Sequence, residues 1–141
     1  MTLSAHEIIR KLNLAPHAEG GWYKETWRAD APPGVRPSGT AIYFLLAAGE
    51  RSHWHRIDAA EIWIFNAGAP LRLELSEDGK ISREITLGAD LARDARPQAI
   101  VPPRCWQAAT SLGSWTLVTC AVSPGFQFER FELAPPGWAP G

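Results

Sequence analysis

The sequence predicts an all-β sandwich or barrel preceded by one short helix. Three observations carry this. Short runs of alternating apolar and polar residues recur at roughly 8–12-residue spacing after position 20. Gly, Pro, Asn and Asp punctuate them. Only the first dozen residues show a helical pattern.

The helix is placed at about residues 4–13. Ser4 can cap it, Glu7 three residues on completes a capping box, and Ile8, Ile9 and Leu12 form an apolar face. Pro16 and the residues before it end it. Expected strands follow at 22–28, 40–46, 52–57, 61–66, 71–75, 81–87, 98–101, 106–109, 115–122 and 126–133. Asp78-Gly79 between two alternating runs is a hairpin signal. The Pro- and Gly-rich tail, 134–141, is expected to be loose.

At 141 residues the chain is read as a single domain, 1–141, large enough to bury a core without staples. Net charge is −1 with no basic run, which argues against nucleic acid as a partner. The longest apolar stretch, Ala41 to Ala48, is far short of a membrane span, and the N-terminus lacks a signal-peptide pattern. A cytoplasmic protein is expected. Cys105 and Cys120 are then free, buried thiols. The sequence has no G-x-G-x-x-G, P-loop, His-Glu-x-x-His or Gly-x-Ser-x-Gly motif, so the common nucleotide-binding and serine-hydrolase chemistries find no support.

The chemistry concentrates in one segment. His53 and His55 are one residue apart in a predicted strand, and side chains at i and i+2 share a face. Glu61 opens the next apolar run. Two imidazoles and a carboxylate on adjacent strands suit a divalent transition metal such as Ni, Fe, Mn or Zn. Glu61 facing a core must be paired, metal-bound or protonated. Seven tryptophans stand at 22, 27, 54, 63, 106, 115 and 138, and those near the histidines could wall a ligand pocket. Tyr43, Glu25, Arg28 and Trp22 on neighbouring strands could face the same cavity. His6, His17, Arg83, Arg93, Arg96 and Arg130 are read as structural or solvated.

His53-x-His55-x5-Glu61-x6-Gly68 resembles the first motif of the cupins, which are small double-stranded β-helices. The second motif is altered: Pro102 is in place, Arg104 stands at its second glycine, Gln107 where a ligand histidine belongs, and Ser111 at its asparagine. Glu19-Gly20-Gly21-Trp22, Thr40 to Leu46, His55-Arg56, Glu61-Ile62-Trp63, Val101 to Gln107 and Ser123-Pro124-Gly125-Phe126 resemble one branch, the cupin-5 family, formerly domain of unknown function 985. The likeness covers about residues 5–133, with Ile64 standing where relatives often carry a second histidine.

The resemblance implies a jelly-roll-like cupin barrel, a homodimer, and Gln107 as a fourth metal position beside His53, His55 and Glu61. Two functions are carried forward. One is a metal-assisted isomerase or epimerase acting on a sugar or a hydroxy or keto acid, with Glu61 and His55 catalytic. Its substrate contacts would be Tyr43, Trp63, Trp106, Gln107, Glu25 and Trp22. The other is a non-catalytic small-molecule-binding cupin.

Overall fold

Two antiparallel sheets face each other across an apolar interior, in a computed structural model that describes residues 2–141. The helix α1 (Ala5–Leu12) is capped as its sequence requires. Ser4 accepts the Glu7 backbone N–H, and the Glu7 side chain accepts the Ser4 N–H. Asn13 closes the helix in the left-handed conformation.

The strands are β1 (Ala15–Pro16), β2 (Trp22–Arg28), β3 (Thr40–Ala47), β4 (Arg51–Ile57), β5 (Ala60–Gly68), β6 (Leu71–Ser76), β7 (Arg83–Leu87), β8 (Gln98–Val101), β9 (Trp106–Ser111), β10 (Trp115–Ser123) and β11 (Phe131–Leu133). One sheet runs β1-β2-β3-β10-β5-β8 and the other β11-β4-β9-β6-β7. From β3 onward the chain crosses between the sheets at every step except β6 to β7, so most neighbours in the sheets are distant in sequence, as in a jelly roll. The predicted β6–β7 hairpin forms around Asp78 and Gly79. The expected last strand is shorter than its alternation suggested, because a 3-10 turn over Phe128–Arg130 precedes β11.

Strand alternation divides the side chains. Phe44 and Leu46 from β3, Trp63 from β5, Leu71, Leu73 and Leu75 from β6, and Val118 and Cys120 from β10 fill the interior. On the outer face of the larger sheet, Leu45, Tyr43 and Trp22 pack with α1 through Ile8, Ile9 and Leu12. Tyr43 and Trp22 therefore point away from the barrel interior, because Ile42 and Phe44 beside Tyr43, and Tyr23 beside Trp22, take the inward positions.

The tail is not loose. Trp138 packs at 4.7 Å from Trp106 and 6.1 Å from Trp54, ring centre to ring centre, on the outer face of the smaller sheet. The Ala134 N–H donates to the Trp54 carbonyl, and the Gly141 N–H to the Gly79 carbonyl. Three indoles supply enough apolar area to hold a Pro-rich segment that has no regular structure of its own.

Candidate functional site

The strand β4 carries one residue too many. Ser52 pairs with Ala109 and His55 with Gln107, so three steps along β4 match two along β9. This is a β-bulge, and it breaks the two-residue alternation. Ser52 and His55 both face inward, whereas His53 turns out, where its Nε2–H donates to the Pro135 carbonyl at 2.9 Å. The His53 backbone N–H, displaced from the ladder, donates to the Glu19 carbonyl at 2.8 Å.

That last bond brings in a segment from before β2. Gly20 and Gly21 both have positive φ, 107° and 76°. A Cβ on Gly20 would collide with the Arg51 carbonyl. Only glycine lets this loop lie flat on β4, and the contact carries His17 and Glu19 into the barrel. His17, read from sequence as structural, thus lines the cavity.

The resulting pocket occupies about 440 Å³, counting its open mouth. His17, Glu19, Tyr23 and Glu25 line it from the first part of the chain, Thr40 and Ile42 from β3, and His55 and Ile57 from β4. Glu61, Val122, Phe126 and Phe131 complete it.

Glu61 is 7 % exposed. Its Oε1 accepts the Gln107 Nε2–H at 2.9 Å, and the Gln107 amide oxygen in turn accepts the Trp63 indole N–H at 2.8 Å. Burial pushes the Glu61 carboxyl up to about 7, against the opposing pull of the nearby His55. A carboxyl at that value exchanges protons near neutrality.

His55 is 3 % exposed, and its Nδ1 lies 2.7 Å from the His53 carbonyl. A carbonyl only accepts, so Nδ1 carries the proton and the neutral ring presents an Nε2 lone pair. That Nε2 is 3.5 Å from Glu19 Oε2. Burial lowers the His55 pKa, although Glu61 opposes the shift. Glu19, which also accepts from the Ser52 hydroxyl, is raised by burial. His17 accepts the Glu19 backbone N–H on Nδ1 at 3.1 Å, and burial lowers its pKa. Two acids pushed up and two bases pushed down leave a cluster in which neutral forms are favoured and protons can pass at little cost.

Of the residues expected at the site, His55, Glu61 and Glu25 line the cavity. Glu25 also holds Arg28 in a bidentate pair at 2.9 and 2.8 Å. Gln107 is buried behind Glu61, and Trp63 lies behind Gln107 in the core. Trp106 is on the outer face of the smaller sheet under Arg56, whose guanidinium is 4.3 Å from the ring centre. The ligand set His53, His55, Glu61 and Gln107 does not converge. His53 is turned out by the bulge, and the Gln107 oxygen is committed to Trp63. Among the described residues no three His, Cys, Asp or Glu side chains are arranged to hold a metal ion. The expected metal does not fit this arrangement.

Sequence reasoning missed His17, Glu19, Tyr23 and Ser52. The Glu-Gly-Gly run was the available signal, since paired glycines beside an acid mark a close backbone approach.

Two crossed antiparallel sheets with an acid–base cluster inside one end define a cupin-type barrel. The chain belongs to the cupin-5 family, described as cupin superfamily (DUF985), whose model matches residues 6–134. It is similar to a Shewanella oneidensis protein solved by X-ray crystallography, with 38 % identity and a TM-score of 0.89, covering 94 % of this chain and 85 % of that one. It is also similar to a hypothetical protein from Leishmania major, with 31 % identity and a TM-score of 0.86, covering 96 % and 90 %. Oxalate decarboxylase from Bacillus subtilis shares the fold at 13 % identity, with a TM-score of 0.65 over 84 % of this chain and 29 % of that one. No curated protein is a significant match. Among the described residues no helix is long and apolar enough to cross a membrane.

Proposed function

We propose that the chain binds a small molecule in its barrel and moves protons on it, as an isomerase or epimerase does. The observation that carries this reading is the Glu61 carboxyl, raised to about 7, in one cavity with the unprotonated Nε2 of a neutral His55. One group takes a proton from a carbon beside a carbonyl or imine and the other gives a proton at a second position, and proton exchange with solvent through the cavity mouth then restores both groups for the next turnover. The His53 carbonyl orients the His55 ring from behind through Nδ1, and Glu19, held by Ser52, faces its Nε2. With the expected metal ligands dispersed, the proposal assigns this chemistry to the side chains alone.

The test is hydrogen exchange. The protein is incubated in D2O with a panel of small sugars, hydroxy and keto acids, and amino compounds, and carbon-bound protons are followed by NMR. Loss of one C–H signal is expected, slowed roughly 10²–10⁴-fold by Glu61→Gln. Exchange in no compound, or exchange indifferent to Glu61→Gln, would defeat the reading. A non-catalytic binding cupin would then stand in its place, supported by the aromatic wall of Tyr23, Phe126 and Phe131.

We also infer a homodimer through the larger sheet. Cα partners Trp27↔Ala41, Ala41↔Ala121, Ala121↔Ile62 and Ile62↔Ile100 form one apolar row across five strands on its outer face. Trp27 is 53 % exposed and Ile100 62 %. A contiguous apolar band of this kind, next to the area α1 covers, supports a partner face, and an identical chain presents a matching one.

A further inference from the structure

We propose that the cavity takes a ligand carrying positive charge on nitrogen, a protonated amine or a quaternary ammonium. The inference rests on the cavity being the binding site and narrows the class of molecule it admits.

Three carboxylic side chains line the pocket, Glu19, Glu25 and Glu61, and no lysine or arginine does. The nearest guanidiniums are already engaged. Arg28 is bidentate to Glu25, and Arg36 is bidentate to Asp58 at 2.9 and 2.8 Å. A ligand cation would favour ionisation of Glu19 and Glu61, whereas a ligand carboxylate or phosphate would oppose it and find no unengaged cation in the lining to receive it.

Much of the remaining wall is aromatic, set beside the aliphatic Ile42, Ile57 and Val122. Tyr23 meets His17 at 4.5 Å and 66°, and Phe126 meets Phe131 at 5.9 Å and 65°. Phe128, 52 % exposed, stands against Phe126 at 4.8 Å and 85°. Tyr23, Phe126 and Phe131 put aromatic surface on the cavity wall, and aromatic ring faces attract cations. A neutral sugar needs several hydroxyl donors and acceptors in balance. Here the polar lining is mainly carboxyl groups, which become pure acceptors once a cation ionises them, and the Thr40 hydroxyl oxygen already receives the Phe126 N–H at 3.0 Å. Acceptors plus aromatic faces are what an ammonium group requires.

The test compares matched pairs by NMR titration of the full-length protein: choline against its carbon isostere dimethylbutanol, glucosamine against glucose, and pivalate as the anion. Each cation is expected to bind about tenfold or more tightly than its neutral match, in the range of one desolvated cation–ring contact. Phe126→Leu and Phe131→Leu, which keep apolar character and remove a ring, should each weaken the cations more than their neutral matches and so narrow that gap. Two such variants guard against one failing to fold. Neutral members binding as tightly as the cations, pivalate binding tightest, or no cation binding at millimolar concentration would overturn the proposal. Because affinity is read without turnover, a cation preference can stand while hydrogen exchange fails, and the reverse.

Discussion

Gln107 holds Glu61 in place: its Nε2 donates to Oε1 at 2.9 Å, deep behind the cavity. The same amide accepts from Trp63, so one side chain fixes both a core indole and a site acid. Gln107→Leu would leave the Trp63 N–H without an acceptor and remove a bond that favours ionised Glu61. A loss of about 1–3 kcal/mol in urea unfolding is expected, the usual cost of an orphaned buried donor. The Glu61 titration, followed by carbonyl NMR, should move further up. An unchanged titration would show that the amide does not tune the acid.

Glu61 also sets a pH dependence of stability. Its folded value, about 7, lies above the unfolded value of 4.5. The folded state therefore holds the extra proton between those values, and stability falls as pH rises from 4.5 to about 7. Glu61→Gln should remove this loss. Its thermal midpoint should exceed that of the parent at pH 8, and the two should converge at pH 4, as differential scanning calorimetry would show.

His17 and His55 act in the opposite sense. Both have pKa values lowered by burial from 6.5, so the unfolded chain binds more protons below that point and stability falls as pH drops through it. Nitrogen NMR at pH 6.5 should show His55 neutral, protonated on Nδ1. A charged His55 ring, or one protonated on Nε2, would contradict the geometry.

The two histidines of the His-x-His motif should separate by mutation. His53→Ala loses the bond to Pro135 and should cost about 0.5–1.5 kcal/mol, with the hydrogen-exchange activity retained. His55→Ala should abolish that activity. Metal analysis of both variants and the parent, purified without a chelating tag, checks the dispersed ligand set: bound metal in the parent that either substitution removes would show that both rings converge in solution.

The dimer is checked by light scattering. A mass near twice 15.5 kDa is expected for the parent. Ile62→Lys, in the middle of the apolar row, should give the monomer mass. A monomeric parent at micromolar concentration would end the proposal.

Much of the barrel was legible because the physics that forms it is local. The capping residues of α1, the alternation of β3, β5 and β10, and the Asp78-Gly79 turn are each specified by a few adjacent residues. The site was only half legible. Glu61 announced itself as a carboxylate opening an apolar strand, and His55 through its place in the His-x-His segment. The bulge did not, because an extra residue in a strand leaves no mark in a two-residue period, and the His-x-His pair was read as if the strand were regular. For Tyr43 and Trp22 the alternation allowed either face, and the inward positions went to their neighbours. Glu19 arrives from a loop some thirty residues away, a long-range contact that periodicity does not encode.

The C-terminal segment and the pocket share a strand. Leu133 pairs with His55 in the ladder, Ala134 bonds to Trp54, and Pro135 takes the His53 ring. A fusion partner or affinity tag attached after Gly141 that displaced this segment would thus remove bonds from the strand that aims the His55 imidazole. For handling this protein, the practical consequence is that a tag belongs at the N-terminus. Preparations tagged at the other end would report on a slackened clasp.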